Sequence, residues 1–183
     1  MLSYSFTEGA ELRQLEHHHA EELFALIDAN RAYLRRWLPE WDVQKSLEEC
    51  KAVIKASLEQ LASNGGSTLG IWRQGLLAGV IGAGRIDWEN RSTMIGYWLG
   101  ESFQGMGLMT GACRALIDYL FLELKLRRVE IRCATNNPRS SGVPKRLGFT
   151  KEGVLRQAQA FDDIYLDIEV YALLAEDWER VTE

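Results

Sequence analysis

Apolar positions along the chain change period several times, and each change marks an element. LRQLE, around Leu12, reads as a short first strand. From about His19 to Asn30, Leu23, Phe24, Leu26 and Ile27 recur at helical spacing. A second helical segment runs from Ser46 to Leu61. Ser46 and Glu49 form the pattern of a capping box at its start, and SNGG supplies turn chemistry at its end. The period then shortens. STLGIWRQ, LLAGVIGAGRIDW and STMIGYWLG read as three strands, with hairpin turns expected at Gln74-Gly75 and Glu89-Asn90. Leu108, Ala112, Leu116, Tyr119 and Leu120 then define one helical face. RRVEIRCAT is a strand with Val129, Ile131 and Cys133 on one side. NNPRSSGVPKRLGF is a short helix with Pro138 in its first turn and a stop at Gly148. GVLRQAQAF and DIYLDIEVYALLAEDW supply a closing pair of strands.

The predicted order is β-α-α-β-β-β-α-β-α-β-β over residues 1–183, with no linker, repeat or low-complexity segment. The strand–helix–strand unit from Ser92 to Thr135 should place two strands parallel. A mixed sheet with helices on both faces buries these stripes, so the expectation is a single α/β (α+β) domain.

Composition narrows the field only slightly. The 183 residues suit one core, and a net charge of −5 argues against a general nucleic-acid binder. No basic, apolar leader opens the chain, and no apolar run approaches the roughly 20 residues that span a bilayer. Cys50, Cys113 and Cys133 are far apart and odd in number, which fits reduced thiols in a cytoplasm better than a disulfide framework. His17, His18 and His19 invite a metal reading. Neighbours on a helix point about 100° apart, however, so three in a row do not converge on one ion. They read as a solvated helix start, and no metal is expected.

The candidate chemistry lies in SFQGMGLMTGACRALIDYL. Gly105 and Gly107 stand between a strand ending near Leu99 and a helix starting near Leu108. The first amides of a helix are unpaired and carry partial positive charge, and glycines let them approach an anion closely. A tight turn that ends the strand is the plainer reading of the same residues. An ATP-type loop fails because Met106 follows Gly100–Gly105 where lysine is required. A dinucleotide fingerprint fails because GMGLMTG is one residue too long and lies mid-chain.

Together with ATNNPRSSGVPKRLGF some 30 residues later, this segment resembles the GNAT acetyltransferase superfamily, in particular its bacterial RimL-like branch. Gln104, Gly105, Met106, Gly107, Leu108 and Met109 match the family's Q/R-x-x-G-x-G/A acetyl-CoA loop. Met109 stands where a small residue is usual, which implies a shifted contact. Asn137, Ser140, Leu147, Gly148 and Phe149 match its second element. The resemblance implies a GNAT-like, centrally splayed sheet and binding of acetyl-CoA. The pyrophosphate would lie on the glycine-loop amides, Thr110 included, and the pantetheine arm would run along Tyr97-Trp98-Leu99. Asn137 and Ser140 would sit beside that arm.

The resemblance also implies roles. Glu101 would take the amine proton, directly or through water, and a backbone amide near Leu99 or Gly100 would face the developing oxyanion. Ser140 would protonate the leaving thiolate, since Asn137–Arg146 lacks the tyrosine that many relatives use. Trp37 and Trp41, in LRRWLPEW, would form part of the acceptor wall. The expected function is transfer of an acetyl group to a primary amine, with a protein N-terminus (ribosomal or other) as the favoured acceptor; the resemblance makes a homodimer one possible assembly. Two alternatives stand beside it: a CoA-binding regulatory protein with little turnover, and a small-amine acetyltransferase.

Overall fold

The computed structural model describes the backbone of residues 3–38, 46–161 and 163–182. One eight-stranded sheet runs in the order β1-β2-β3-β4-β5-β6-β8-β7. Its strands are β1 (Ser3–Thr7), β2 (Ala10–Gln14), β3 (Ser67–Arg73), β4 (Leu76–Ala83), β5 (Ser92–Leu99), β6 (Arg128–Ala134), β7 (Thr150–Phe161) and β8 (Ile164–Leu174). All neighbouring pairs are antiparallel except β5 and β6, which are parallel as expected for the strand–helix–strand unit. The helices are α1 (Ala20–Leu34), α2 (Leu47–Ala62), α3 (Leu108–Asp118), α4 (Pro138–Arg146) and α5 (Ala175–Thr182).

Local chemistry accounts for many of the boundaries. Ser46 Oγ accepts from the Glu49 amide at 3.2 Å, while Glu49 Oε2 accepts from the Ser46 amide at 2.9 Å, so α2 opens on the expected capping box. Gln74 and Gly75 both take positive φ, 50° and 80°, which is the twist that a tight hairpin requires. At the next hairpin, Asp87 accepts from the Asn90 amide at 2.9 Å. Asn137 caps α4 through its side chain, and Pro138 fills the first helical position.

The two faces of the sheet carry separate cores. On one, α3 and α4 press Ala112, Leu116, Ile117 and Val143 against Leu69, Ile71, Ile81, Ile95, Val129 and Ile131. On the other, Leu23 and Ile27 of α1 and Cys50 and Ile54 of α2 cover Trp72, Leu77 and Trp98. Fully burying one such aliphatic side chain contributes about 1.5–3 kcal/mol.

Three differences from the sequence expectation stand out. A strand, β1, precedes the expected first one. It pairs only with β2 and is largely exposed; Tyr4 and Phe6 alternate with Ser3, Ser5 and Thr7, a two-residue period present in the sequence, and Phe6 packs against the core. Helix α1 continues past Asn30 to Leu34, where Leu34 is buried. The final strand ends at Leu174, and AEDW opens α5 rather than closing β8. Trp178 is buried there, its indole N–H donating to Asp118 Oδ1 at 2.7 Å, a tertiary contact that a two-residue alternation could not reveal. No helix among the described residues is long and apolar enough to cross a membrane.

Candidate active site

Strands β5 and β6 pair from Ser92↔Arg128 to Ile95↔Ile131 and then part. Beyond that point β5 keeps its other neighbour, pairing with β4 as far as Leu99↔Gly79, while β6 keeps β8 as far as Ala134↔Ile168. The sheet therefore opens into a V at its centre. The Gly100 amide donates to Ala78 O at 2.9 Å, which directs every second residue of β5 towards β4. By that alternation, the backbone N–H and C=O groups of Tyr97 and Leu99 face the gap. They form a short length of unpaired strand edge inside the protein.

The glycine segment lies at the mouth of this gap. Gly105 and Gly107 adopt φ of +74° and +75°, a conformation disfavoured for residues with a side chain. A Cβ built at either position meets no atom within 4 Å, so packing inside the protein is not what demands glycine there. Gly107 is the N-cap of α3 and supplies no side-chain cap to its amides. Two arginines from α4 flank the segment. Arg139 Nη1 donates to Gln104 Oε1 at 2.5 Å, and Arg146 donates to Thr110 Oγ1 through Nε at 3.2 Å and Nη2 at 3.1 Å. Turned amides, a helix N-terminus and two guanidinium groups suit a phosphate-bearing ligand.

The gap belongs to a cavity of about 1120 Å³ that reaches through the splay from the α3–α4 side to the α1 side. Gln104, Gly105, Gly107, Leu108, Met109 and Thr110 line one end, with Asn137 and Ser140 across from them. Leu108 and Met109 are nevertheless buried, so the larger residue at the motif's last position is spent on packing, Met109 in the main core. Met106 stands outside the lining and is half exposed. Leu99 and Trp98 lie at the centre, where the Trp98 indole belongs to the core beneath α1 and α2. Trp37 joins Tyr33 and Leu38 at the other end, opposite Leu155, Ala158 and Gln159 of β7. Trp41 lies outside the described residues.

Glu101 is exposed in a short turn at the end of β5. Its amide donates to Asn30 Oδ1 at 2.8 Å, so neither it nor the Gly100 amide remains available for an oxyanion. Of the Leu99 and Gly100 amides expected to face an oxyanion, only that of Leu99 faces the gap. Ser140 is held at three atoms. Its amide donates to Asn137 Oδ1 at 3.1 Å, its carbonyl accepts from the Tyr97 hydroxyl at 2.9 Å, and its own hydroxyl donates to Cys133 Sγ at 3.2 Å. Burial pushes the Cys133 thiol above its ordinary pKa, partly offset by the Ser140 and Tyr97 hydroxyls. Burial, with Cys133 and Cys113 nearby, pushes the Tyr97 phenol well above its own. Both groups are therefore neutral near pH 7.

Three contributors were not singled out from sequence: Asn30, Arg139 and Arg146. Asn30 sits inside a helix, where asparagine is a poor choice, and that was the readable signal. The arginines carry no comparable mark, and Tyr97 was expected only as part of the strand beside the pantetheine arm. The three histidines form a single turn before α1, where the Glu16 amide donates to His19 Nδ1 at 3.0 Å.

A parallel pair opened into a V, with a glycine cradle at its mouth, defines a class of CoA-dependent acyltransferases, and comparison with known proteins agrees. Residues 10–150 match the acetyltransferase (GNAT) domain, and the chain belongs to the GNAT acetyltransferase family. YdaF of Bacillus subtilis, provisionally named a ribosomal N-acetyltransferase, is 36% identical over 180 residues, covering 98% of each chain. The ribosomal-protein-serine acetyltransferase of Escherichia coli is 34% identical over 166 residues, covering 91% of this chain and 93% of that one. Among solved structures, the ribosomal L7/L12 alpha-N-protein acetyltransferase RimL in complex with coenzyme A superposes with a TM-score of 0.91 at 30% identity. That match covers 94% of this chain and 97% of RimL, whose coenzyme A is disulfide-linked to a cysteine. This chain is an N-acetyltransferase.

Proposed function

We propose that the chain acetylates the N-terminal amine of a protein or peptide by direct attack within a ternary complex. The observation that carries this reading is the through-going cavity. Its 1120 Å³ exceeds the roughly 300–1000 Å³ of an ordinary single-ligand pocket, and its two ends open on opposite faces of the sheet. Bound acetyl-CoA supplies an activated thioester.

The chain's own residues do the rest. The amides of the glycine segment, from Gly105 to Thr110, hold the pyrophosphate, and Arg139 and Arg146 add positive charge beside it. Tyr97 and Leu99 offer main-chain groups to the pantetheine amides, as an added strand would use them, and Asn137 faces them across the gap. Cys133 supports the placing of the sulfur. RimL has a cysteine bonded to coenzyme A, and of the three cysteines here only Cys133 lines the cavity. A thioester sulfur near Cys133 lies within reach of the Ser140 hydroxyl, which donates the proton to the departing thiolate. The Leu99 amide faces the carbonyl oxygen. Glu101 accepts the proton of the attacking amine through water. Cys133, held neutral, is a poor nucleophile, which favours direct transfer over an acyl-cysteine.

The acceptor enters between the end of α1 and β7. Tyr33, Trp37 and Leu38 line this end of the cavity together with Leu155 and Gln159. The RimL relative is named for acting on the alpha-amine of ribosomal protein L7/L12, which supports the same class of acceptor for this chain.

The test is acetyl-CoA with a panel of short peptides, each with a free or a blocked N-terminus, together with polyamines, read by mass spectrometry. Transfer to free N-termini and not to blocked ones is the expected result. Transfer confined to polyamines would replace the peptide acceptor with a small amine, and binding of acetyl-CoA with no transfer would point to a regulatory role.

A further inference from the structure

We propose that Tyr97 and Pro144 form a lock across the splay that positions the first turn of α4, and Ser140 with it, against the open edge of β5. The lock is a matter of hydrogen bonding; its catalytic consequence rests on the reading of Ser140 given above.

In a helix, the carbonyl of Ser140 would accept from the amide of residue 144. That residue is Pro144, inside α4, which brings no N–H and crowds the carbonyl four residues back. The sequence of α4 therefore orphans the carbonyl of the residue assigned the proton-donor role. An unpaired carbonyl inside a protein is costly, and the structure supplies a donor from elsewhere. The Tyr97 hydroxyl reaches it at 2.9 Å, from 43 residues away and from the strand on the other side of the gap.

Position and chemistry make this bond a spacer. Tyr97 lies two residues beyond Ile95, the last residue of β5 to pair with β6, so its side chain points to the same face as Ile95, the face that carries α3 and α4. Its ring packs against the core there. A phenol has only two side-chain rotations and a fixed length. It is neutral near pH 7, so it remains a donor. Moving α4 away from β5 would leave the Ser140 carbonyl without its partner, while the Ser140 amide and hydroxyl are already engaged by Asn137 and Cys133. Tyr97 is thus a positioning residue, acting through Ser140.

Four variants test the lock: Y97F, P144A, the double variant Y97F/P144A, and S140A, each read for Tm, kcat and KM for acetyl-CoA. Y97F should lower Tm by roughly 2–4 °C, the loss of one hydrogen bond in a chain of this size. It should lower kcat roughly tenfold, the scale of a small misplacement of a reacting group. In the double variant, the alanine that replaces Pro144 supplies the missing N–H to the Ser140 carbonyl. Tm should then recover most of its loss, while kcat stays low because nothing ties α4 to β5. Recovery of both would mean that Tyr97 merely satisfies a carbonyl, and the positioning role would be overturned. A Y97F Tm equal to the parent's, or one that P144A does not restore, would overturn the lock itself. S140A with the parent's kcat would remove the proton-donor role and with it the catalytic half of the proposal. The Tm pattern needs no turnover and decides on the lock in either case.

Discussion

Asn30 and Glu101, 71 residues apart, are joined by one side chain: Asn30 Oδ1 accepts the Glu101 amide at 2.8 Å while Asn30 Nδ2 donates to Leu26 O at 2.8 Å. The asparagine hands the geometry of α1 to the end of β5. Because Leu26 belongs to α1, the turn that carries Glu101 is referenced to the helix proposed to form the acceptor side of the cavity. N30A should therefore lower kcat by roughly three- to tenfold, about 0.7–1.4 kcal/mol of activation free energy, with KM for acetyl-CoA little changed. Steady-state kinetics with acetyl-CoA varied separates the two constants. A rise in KM at constant kcat would show that Asn30 serves the cofactor side instead.

Glu101 itself should behave more severely and with the same split. E101Q keeps the shape and removes the carboxylate proposed to accept the proton, so turnover should fall while acetyl-CoA affinity holds. A pH–rate profile is the decisive measurement. Turnover equal to the parent's at every pH would take Glu101 out of the mechanism.

Gly107 separates folding from binding. Alanine at φ +75° costs about 1–2 kcal/mol of backbone strain, yet its Cβ meets no atom of the protein within 4 Å. G107A should thus fold, with Tm lower by several degrees, and bind acetyl-CoA at least about tenfold more weakly, some 1.4 kcal/mol, because the new methyl would stand in the proposed pyrophosphate cradle. Calorimetric titration against the thermal shift checks it. Unchanged affinity would reduce the glycine to a turn.

The edge strand β7 predicts a pH response. Arg128 grips Glu152 with two hydrogen bonds, at 2.7 and 2.6 Å, and so holds its carboxyl below the ordinary value of 4.5. Lys151 and Tyr171 hold Glu169 low in the same way. A depressed carboxyl favours the fold while it is ionised. Its contribution is complete above about pH 4.5 and is lost as pH falls below that value. E152Q should melt below the parent at pH 7, and the two curves should converge in acid. A gap that stays constant down to pH 3 would show that the pair adds nothing through its charge.

The parts of the protein legible without a structure are those whose causes lie within a few residues. Ser46 and Glu49 cap each other across three positions, Gln74-Gly75 carries its own turn, and Asn137-Pro138 starts a helix. The glycine segment was legible for the same reason, since φ and amide direction are local properties. The parallel pair was legible because one crossover helix allows few arrangements.

What tertiary structure alone decided is which distant groups meet. Nothing in the sequence states that β5 and β6 part after Ile95, that β8 lies between β6 and β7, or that the Gly100 amide is spent on Ala78. Strand β1 carries its alternation, Tyr4 and Phe6 between polar neighbours, over only five largely exposed residues, and α5 hid because its apolar residues run on from β8. Asn30, Tyr97 and Pro144 were visible as residue types, but hydrogen-bonding capacity carries no address. A side chain reveals what it can donate or accept, and only the folded chain settles which partner comes within 3 Å of it.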